Sequence, residues 1–171
     1  MQAVRQRDHV DQVLTQWQRV APDADVSAMA VFTRLFRLSK YLNRSTATVF
    51  RRHGLRDGEF DLLATLYRSG SADGLTPEAL RRSAVLSSGA MTNRLDRLES
   101  AGLIKRQANP VDRRSLLICL SDEGQSVLLS CLDDYLVALR QLQAPLAAGQ
   151  RDALVEALRM LLLTLEDGDD V

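Results

Sequence analysis

The chain has 171 residues, 46% hydrophobic and 26% charged, a balance that fits one globular domain with helical extensions and excludes intrinsic disorder. Two cysteines, Cys119 and Cys131, and two histidines, His9 and His53, are too few and too scattered for a disulfide framework or a clustered metal site. The net charge of zero conceals an uneven distribution: residues 76–120 carry 8 basic and 4 acidic side chains, residues 121–171 carry 3 and 10, and a polyanion is expected to meet the basic middle.

Helical periodicity opens the chain. From Asp8 to Val20, Val10, Val13, Leu14 and Trp17 recur at spacings of three and four and form one apolar stripe, which the Ala-Pro-Asp-Ala-Asp break ends. Ser27 is placed to cap a long helix to about His53, with Val31, Leu35, Leu38, Leu42 and Val49 on its stripe. Gly54 and Asp57-Gly58 punctuate, and a short helix follows from Glu59 to about Arg68. Thr76 as cap, Pro77 at the first helical position and Glu78 in the first turn then start another helix. A serine-capped helix through SSGAMTNRLDRLESAG follows, with Gly102 as its terminator.

The period changes over LIKRQANPVDRRSLLICL, two short apolar or alternating stretches around a Pro-containing charged turn, which predicts a β-hairpin. From Ser121 the pattern is helical again, to about Gln143 and then from about Ala148 to Glu166, with a break at Ala144-Pro145 and a fraying EDGDDV tail. Both cysteines read as small buried hydrophobes. No apolar run approaches the roughly 18–20 residues of a membrane span and no signal-peptide pattern opens the chain, so a cytoplasmic protein is expected. Three segments result: N-terminal helices (1–56), a central region (57–120) and C-terminal helices (121–171). The expected fold is mainly α with a small β-hairpin.

A short helix, a tight connection, a second helix and a hairpin make a winged helix-turn-helix, and each part suits double-stranded DNA. At about 100° per residue, Met91, Leu95 and Leu98 face inward on the second helix. Gly89, Asn93 and Asp96 lie opposite, flanked by Thr92 and Arg97, and with Ser88 at the start they offer the small polar surface that base edges require. The alternative is an ordinary amphipathic helix with a solvated face. In the hairpin turn, Arg113 and Arg114 match the width and negative potential of a minor groove, and Asp112 is placed to hold one of them by a salt bridge. A merely solvated charged turn is the competing reading. Arg81 and Arg82 suit phosphate contacts that position without reading sequence. No nucleophile elbow, phosphate-binding glycine loop or His-based catalytic arrangement is present, so neither an enzyme nor a cofactor is expected.

The run LTPEALRRSAVLSSGAMTNRLDRLESAGLIKRQANPVDRRSLLICLSDEG resembles the DNA-binding core of the MarR family of bacterial transcription regulators. The resemblance implies a homodimer with intertwined N- and C-terminal helices, two recognition helices presented to a palindromic operator, and release from DNA by a small anionic aromatic effector. Apolar residues on the terminal helices, among them Leu136, Leu154, Leu162 and Leu165, independently call for a partner surface. Peroxide sensing, which some members perform through a cysteine in the N-terminal half, is not expected, because no cysteine precedes position 119.

TQWQRVAPDADVS, EFDLLATLYRSG, TNR and LIKR are similar to the urate-responsive branch of that family. This narrower resemblance implies an effector set of Trp17, Asp61, Arg94 and Arg106, and a repressor released by urate. An indole suits a flat purine and guanidinium groups suit its charge. The alternatives are a Trp17 that only packs its helix, an Asp61–Arg106 structural salt bridge, and an Arg94 that touches phosphate. At the level of function, the alternatives are a regulator answering a different phenolic ligand and a helical adaptor that does not bind DNA.

Overall fold

A computed structural model describes residues 7–56, 58–71, 73–83, 91–112 and 114–169. It divides into two compact units, residues 1–46 and 47–171. Along the chain run α1 (His9–Val20), α2 (Met29–Arg52), α3 (Glu59–Arg68), α4 (Pro77–Ser83), α5 (Met91–Ser100), β1 (Ile104–Ala108), β2 (Leu116–Leu120), α6 (Asp122–Gln143) and α7 (Ala148–Asp169). The chain is mainly α with one antiparallel hairpin, as its periodicities predict. No helix among the described residues is long and apolar enough to cross a membrane.

In the first unit, α1 starts at a capping box: Asp8 accepts the Asp11 N–H, and Asp11 in return accepts the Asp8 N–H. Arg34 of α2 grips both carboxylates, Nε at 2.8 Å from Asp8 and Nη2 at 2.7 Å from Asp11. Val10 is buried, whereas Trp17 keeps 43% of its surface exposed. The turn before α2 is held by Asp25, whose side chain accepts the Ser27 N–H, so the side-chain acceptor lies two residues before the expected Ser27 cap. The apolar stripe foreseen on α2 is mostly uncovered: Val31, Leu38 and Leu42 are exposed together with Phe32, Phe36 and Tyr41.

Val49 is buried, and it belongs to the second unit, where the core lies. There Leu62, Leu63 and Leu66 of α3 pack with Leu80 of α4, Leu95 and Leu98 of α5, Ile104 and Ile118 of the hairpin, and Leu128 and Cys131 of α6. Phe50, Phe60 and Tyr135 add an aromatic cluster with ring centroids 4.9–5.7 Å apart. His53 Nε2 lies 3.0 Å from Asp134 Oδ2, joining the end of α2 to α6.

The hairpin pairs Ile104 with Leu120 through Ala108 with Leu116. A third short segment joins it: Leu75 and Ile118 exchange both backbone hydrogen bonds, at 3.0 and 2.7 Å. Gly74 makes that approach possible, since it has φ +87° and any Cβ there would overlap the Ile118 carbonyl. Beyond the hairpin, Ser121 caps α6 by accepting the Gly124 N–H and donates to the Gly102 carbonyl at 2.6 Å. Gly124 sits against the Leu103 carbonyl, leaving no room for a side chain. The break at Ala144-Pro145 falls where expected, but α7 runs to Asp169 through residues expected to fray. Cys131 is buried, with its thiol pushed up to about 11 by burial first and the nearby Asp134 second. Cys119, expected to be buried as well, is half-buried, and its Sγ donates to the Asp73 carbonyl.

Candidate nucleic-acid interface

The two outer ends of the motif form as their sequence directs, while the expected serine cap of its second helix lies outside the described residues. The Thr76 hydroxyl accepts the Ala79 N–H at 3.1 Å and Pro77 opens α4, so the chain enters that helix with its first donors satisfied. At the other end of the motif, Gly102 takes φ +73°, the Gly102 N–H reaches Glu99 O and the Leu103 N–H reaches Leu98 O. This Schellman arrangement turns the chain from α5 straight into β1.

On α5, Leu95 and Leu98 are buried and Met91 packs against the core, which leaves Thr92, Asn93 and Asp96 exposed on the other face. Ser88 and Gly89 lie outside the described residues, as does Arg113. On α4, Arg81 and Arg82 are both exposed and both hydrogen-bond Glu78, which they hold at a pKa of about 2. Two arginines sharing one carboxylate keep a net positive charge on that helix.

The wing tip is shaped by two short polar side chains. Asn109 Oδ1 accepts the Val111 N–H, and Asn109 Nδ2 donates to the Ser115 hydroxyl at 2.8 Å. Asp112 Oδ1 accepts the Arg114 N–H at 3.0 Å. Asp112 thus engages Arg114 through the backbone, as an Asx turn, and of the two arginines to one of which its salt bridge is expected, Arg113 lies outside the described residues. The Arg114 side chain is left exposed.

Two arginines assigned elsewhere by sequence have structural partners. Arg97, expected at DNA, forks onto Glu59 at the start of α3, with Nε 2.6 Å and Nη2 2.8 Å from its two oxygens. Burial pushes the Glu59 carboxyl up, but the Arg97 fork and the Arg56 N–H outweigh it, and the carboxyl lies below its ordinary range. Arg106, expected in the effector set, spans from β1 to α5, 2.6 Å from both Asp96 and Glu99. Asp96, the acidic residue on the outward face, is thus engaged from the wing, sharing one guanidinium with Glu99. Of the other effector candidates, Asp61 on α3 and Arg94 on α5 are half-buried and neither is without an interaction, while Trp17 belongs to the first unit.

Sequence reasoning missed Glu59, Gly124 and the Leu75 bridge. Glu59 reads as an ordinary first-turn acid, and its partner lies 38 positions away. Gly124 carries a faint signal, a glycine in the first turn of a strongly capped helix, where alanine would be the better helix former.

Comparison with known proteins supplies the wider setting. A profile of the MarR family matches residues 55–116. The chain is 33% identical over 142 residues to the transcriptional regulator PecS of Dickeya dadantii, covering 83% of this chain and 86% of that protein. In fold it is similar to Sco3205 of Streptomyces coelicolor, a MarR family transcriptional regulator solved in complex with DNA (TM-score 0.73, 23% identity, 83% of this chain and 93% of that one). It is similar also to BpsR of Bordetella bronchiseptica, whose DNA binding is regulated by 6-hydroxynicotinic acid (TM-score 0.69, 18% identity, 77% and 91%).

Proposed function

The chain belongs to the MarR family of DNA-binding transcription regulators, and within it we propose that this protein is a homodimeric repressor released from a palindromic operator by a small anionic aromatic effector, urate foremost. The observation that carries the reading is α5: a polar Thr92–Asn93 face stands exposed above the buried Leu95 and Leu98, beside a wing tip that presents Arg114. Thr92 and Asn93, with Ser88 and Gly89 before them, are assigned to base edges. Arg113 and Arg114 are assigned to the minor groove, and Arg81 and Arg82 to phosphates. The exposed apolar residues of α2 and α7 supply a surface for a second copy, and two-fold symmetry then matches two half-sites one helical turn apart.

The urate assignment rests on Trp17, Asp61, Arg94 and Arg106, the residue types that the resemblance implies for an anionic purine. Arg94 and Arg106 stand on the recognition helix and at the base of the wing, so an anion drawing on either acts on the DNA-reading elements themselves. A hundredfold fall in operator affinity requires only about 2.7 kcal/mol of coupling. That BpsR answers a heteroaromatic acid agrees with an effector of this class.

The test is a gel shift on the DNA upstream of the protein's own coding sequence, titrated with urate, xanthine and salicylate. The proposal expects a retarded complex that urate dissolves, with Arg94→Ala keeping the complex and losing the response. Release by salicylate alone replaces urate with a phenolic effector. A complex indifferent to all three ends the assignment of this effector class.

A further inference from the structure

Glu59 is a carboxylate with 1% of its surface exposed, too enclosed to meet DNA itself, yet it is joined to the helix that carries Thr92 and Asn93. Both of its oxygens are occupied: one accepts Arg97 Nε at 2.6 Å, and the other accepts Arg97 Nη2 at 2.8 Å and the Arg56 N–H at 2.7 Å. The Arg56 bond ties the carboxylate to the turn before α3, and Gly58, with φ +76°, allows the chain to bend there. Glu59 is therefore held from its own side before Arg97 arrives.

A fork differs from a single contact in what it constrains. Two parallel N–H···O bonds fix the guanidinium plane as well as its distance, so they resist rotation of the helix that carries it. Arg97 stands four residues after Asn93, on nearly the same azimuth of α5. For side chains about 5 Å from the helix axis, a rotation of about 10° moves a tip by about 1 Å, enough to disrupt a base-edge hydrogen bond. Arg106 supplies the complementary restraint from the wing, gripping Asp96 and Glu99 on the same helix. Of the two ties, the one to Glu59 has its acceptor withdrawn from water and is the less open to screening by salt.

We propose that Glu59 and Arg97 form a positioning pair that sets the rotation of the recognition helix, and that Arg97 acts on DNA through Glu59 rather than by touching it. The proposal rests on the DNA-binding reading but not on the effector or on the upstream site. It predicts that disturbing either partner degrades operator discrimination while leaving the number of phosphate contacts unchanged.

The experiment first selects a duplex from a random pool with the wild-type protein, then measures affinity for it and for a scrambled duplex over a range of salt. Glu59→Gln and Arg97→Lys each keep a polar partner in place, and Glu59→Gln combined with Arg97→Met removes the buried charge together with its counter-ion. Each single variant should lower the ratio of selected to scrambled affinity roughly tenfold, the scale of one lost base-edge pairing. The slope of log affinity against log salt should stay at its wild-type value, and the double variant should lose no more than the worse single one. The proposal is overturned if Arg97→Met by itself cuts the slope by about one phosphate while Glu59→Gln binds as wild type. It is equally overturned if the variants melt earlier yet discriminate normally, since the pair would then only stabilise the fold. A pool that yields no enriched duplex fails the DNA-binding reading instead, which keeps the two outcomes apart.

Discussion

Two sets of large apolar side chains occur in this chain and meet opposite fates. Around the hairpin, Leu63, Leu80 and Ile118 are wholly enclosed. On α7, Leu162, Leu163 and Leu165 are each more than half exposed, and Phe32, Phe36 and Tyr41 on the front of α2 are likewise uncovered. Both sets sit on well-formed helices or strands, so local propensity does not separate them. What separates them is the supply of neighbours: α3, α4, α5, the hairpin and α6 surround the first set, and the described residues offer nothing comparable to the second. Each fully covered leucine or phenylalanine contributes about 1.5–3 kcal/mol, so a second copy that covers the exposed set gains a large driving force. The core of the DNA-reading unit is thus enclosed within one chain, and the exposed set is where the proposed second copy would sit.

The strongest test of this contrast is to charge the exposed set. Leu162→Asp with Leu165→Asp should turn the proposed dimer into a monomer in sedimentation at micromolar concentration. A melting temperature that had risen with protein concentration should then become independent of it. A double variant that still sediments as a dimer places the interface elsewhere. In the enclosed set, Leu63→Ala should cost about 3 kcal/mol in urea denaturation, the usual price of a core cavity, and should leave sedimentation unchanged. Gly124→Ala probes the seam between α6 and the hairpin. The added methyl meets the Leu103 carbonyl, and about 1–3 kcal/mol of overpacking should outweigh the gain in helix propensity.

The smallest effect is pH-dependent. Glu59 has a folded pKa below its ordinary 4.5, so its pairing stabilises the fold fully above that value and is lost as pH falls through the lowered one. Wild type should therefore lose stability more steeply than Glu59→Gln below about pH 4.5 in thermal melts. Glu78, held at about 2 by Arg81 and Arg82, adds the same slope to both proteins, and their difference isolates Glu59. Parallel curves would mean that the buried carboxylate gains nothing from its arginine.

Much of the fold was legible because its signals are local. Thr76-Pro77-Glu78 starts α4, Gly102 ends α5, Asn109-Pro110 turns the hairpin and Ser121 caps α6; each does so through partners no more than six residues away. The inward face of α5 followed from helical spacing alone, as Leu95 and Leu98 show. The polar partners were not legible. Arg97 and Arg106 look alike in the sequence, two arginines near a recognition helix, yet one forks onto a buried glutamate and the other bridges wing to helix. A carboxylate 38 residues distant leaves no mark on local pattern.

Sequence alone was enough for the class of architecture, the order of its elements and the exposure of Thr92, Asn93 and Asp96 on the second helix of the motif. Capping, glycine conformation and hydrophobic period are short-range physics, written into neighbouring residues. It took the folded chain to establish which apolar faces are enclosed, that Leu75 adds a rung to the hairpin, and that Glu59 and Arg97 meet. Those outcomes depend on which distant segments come within a few ångströms of one another, and no short stretch of sequence contains that information.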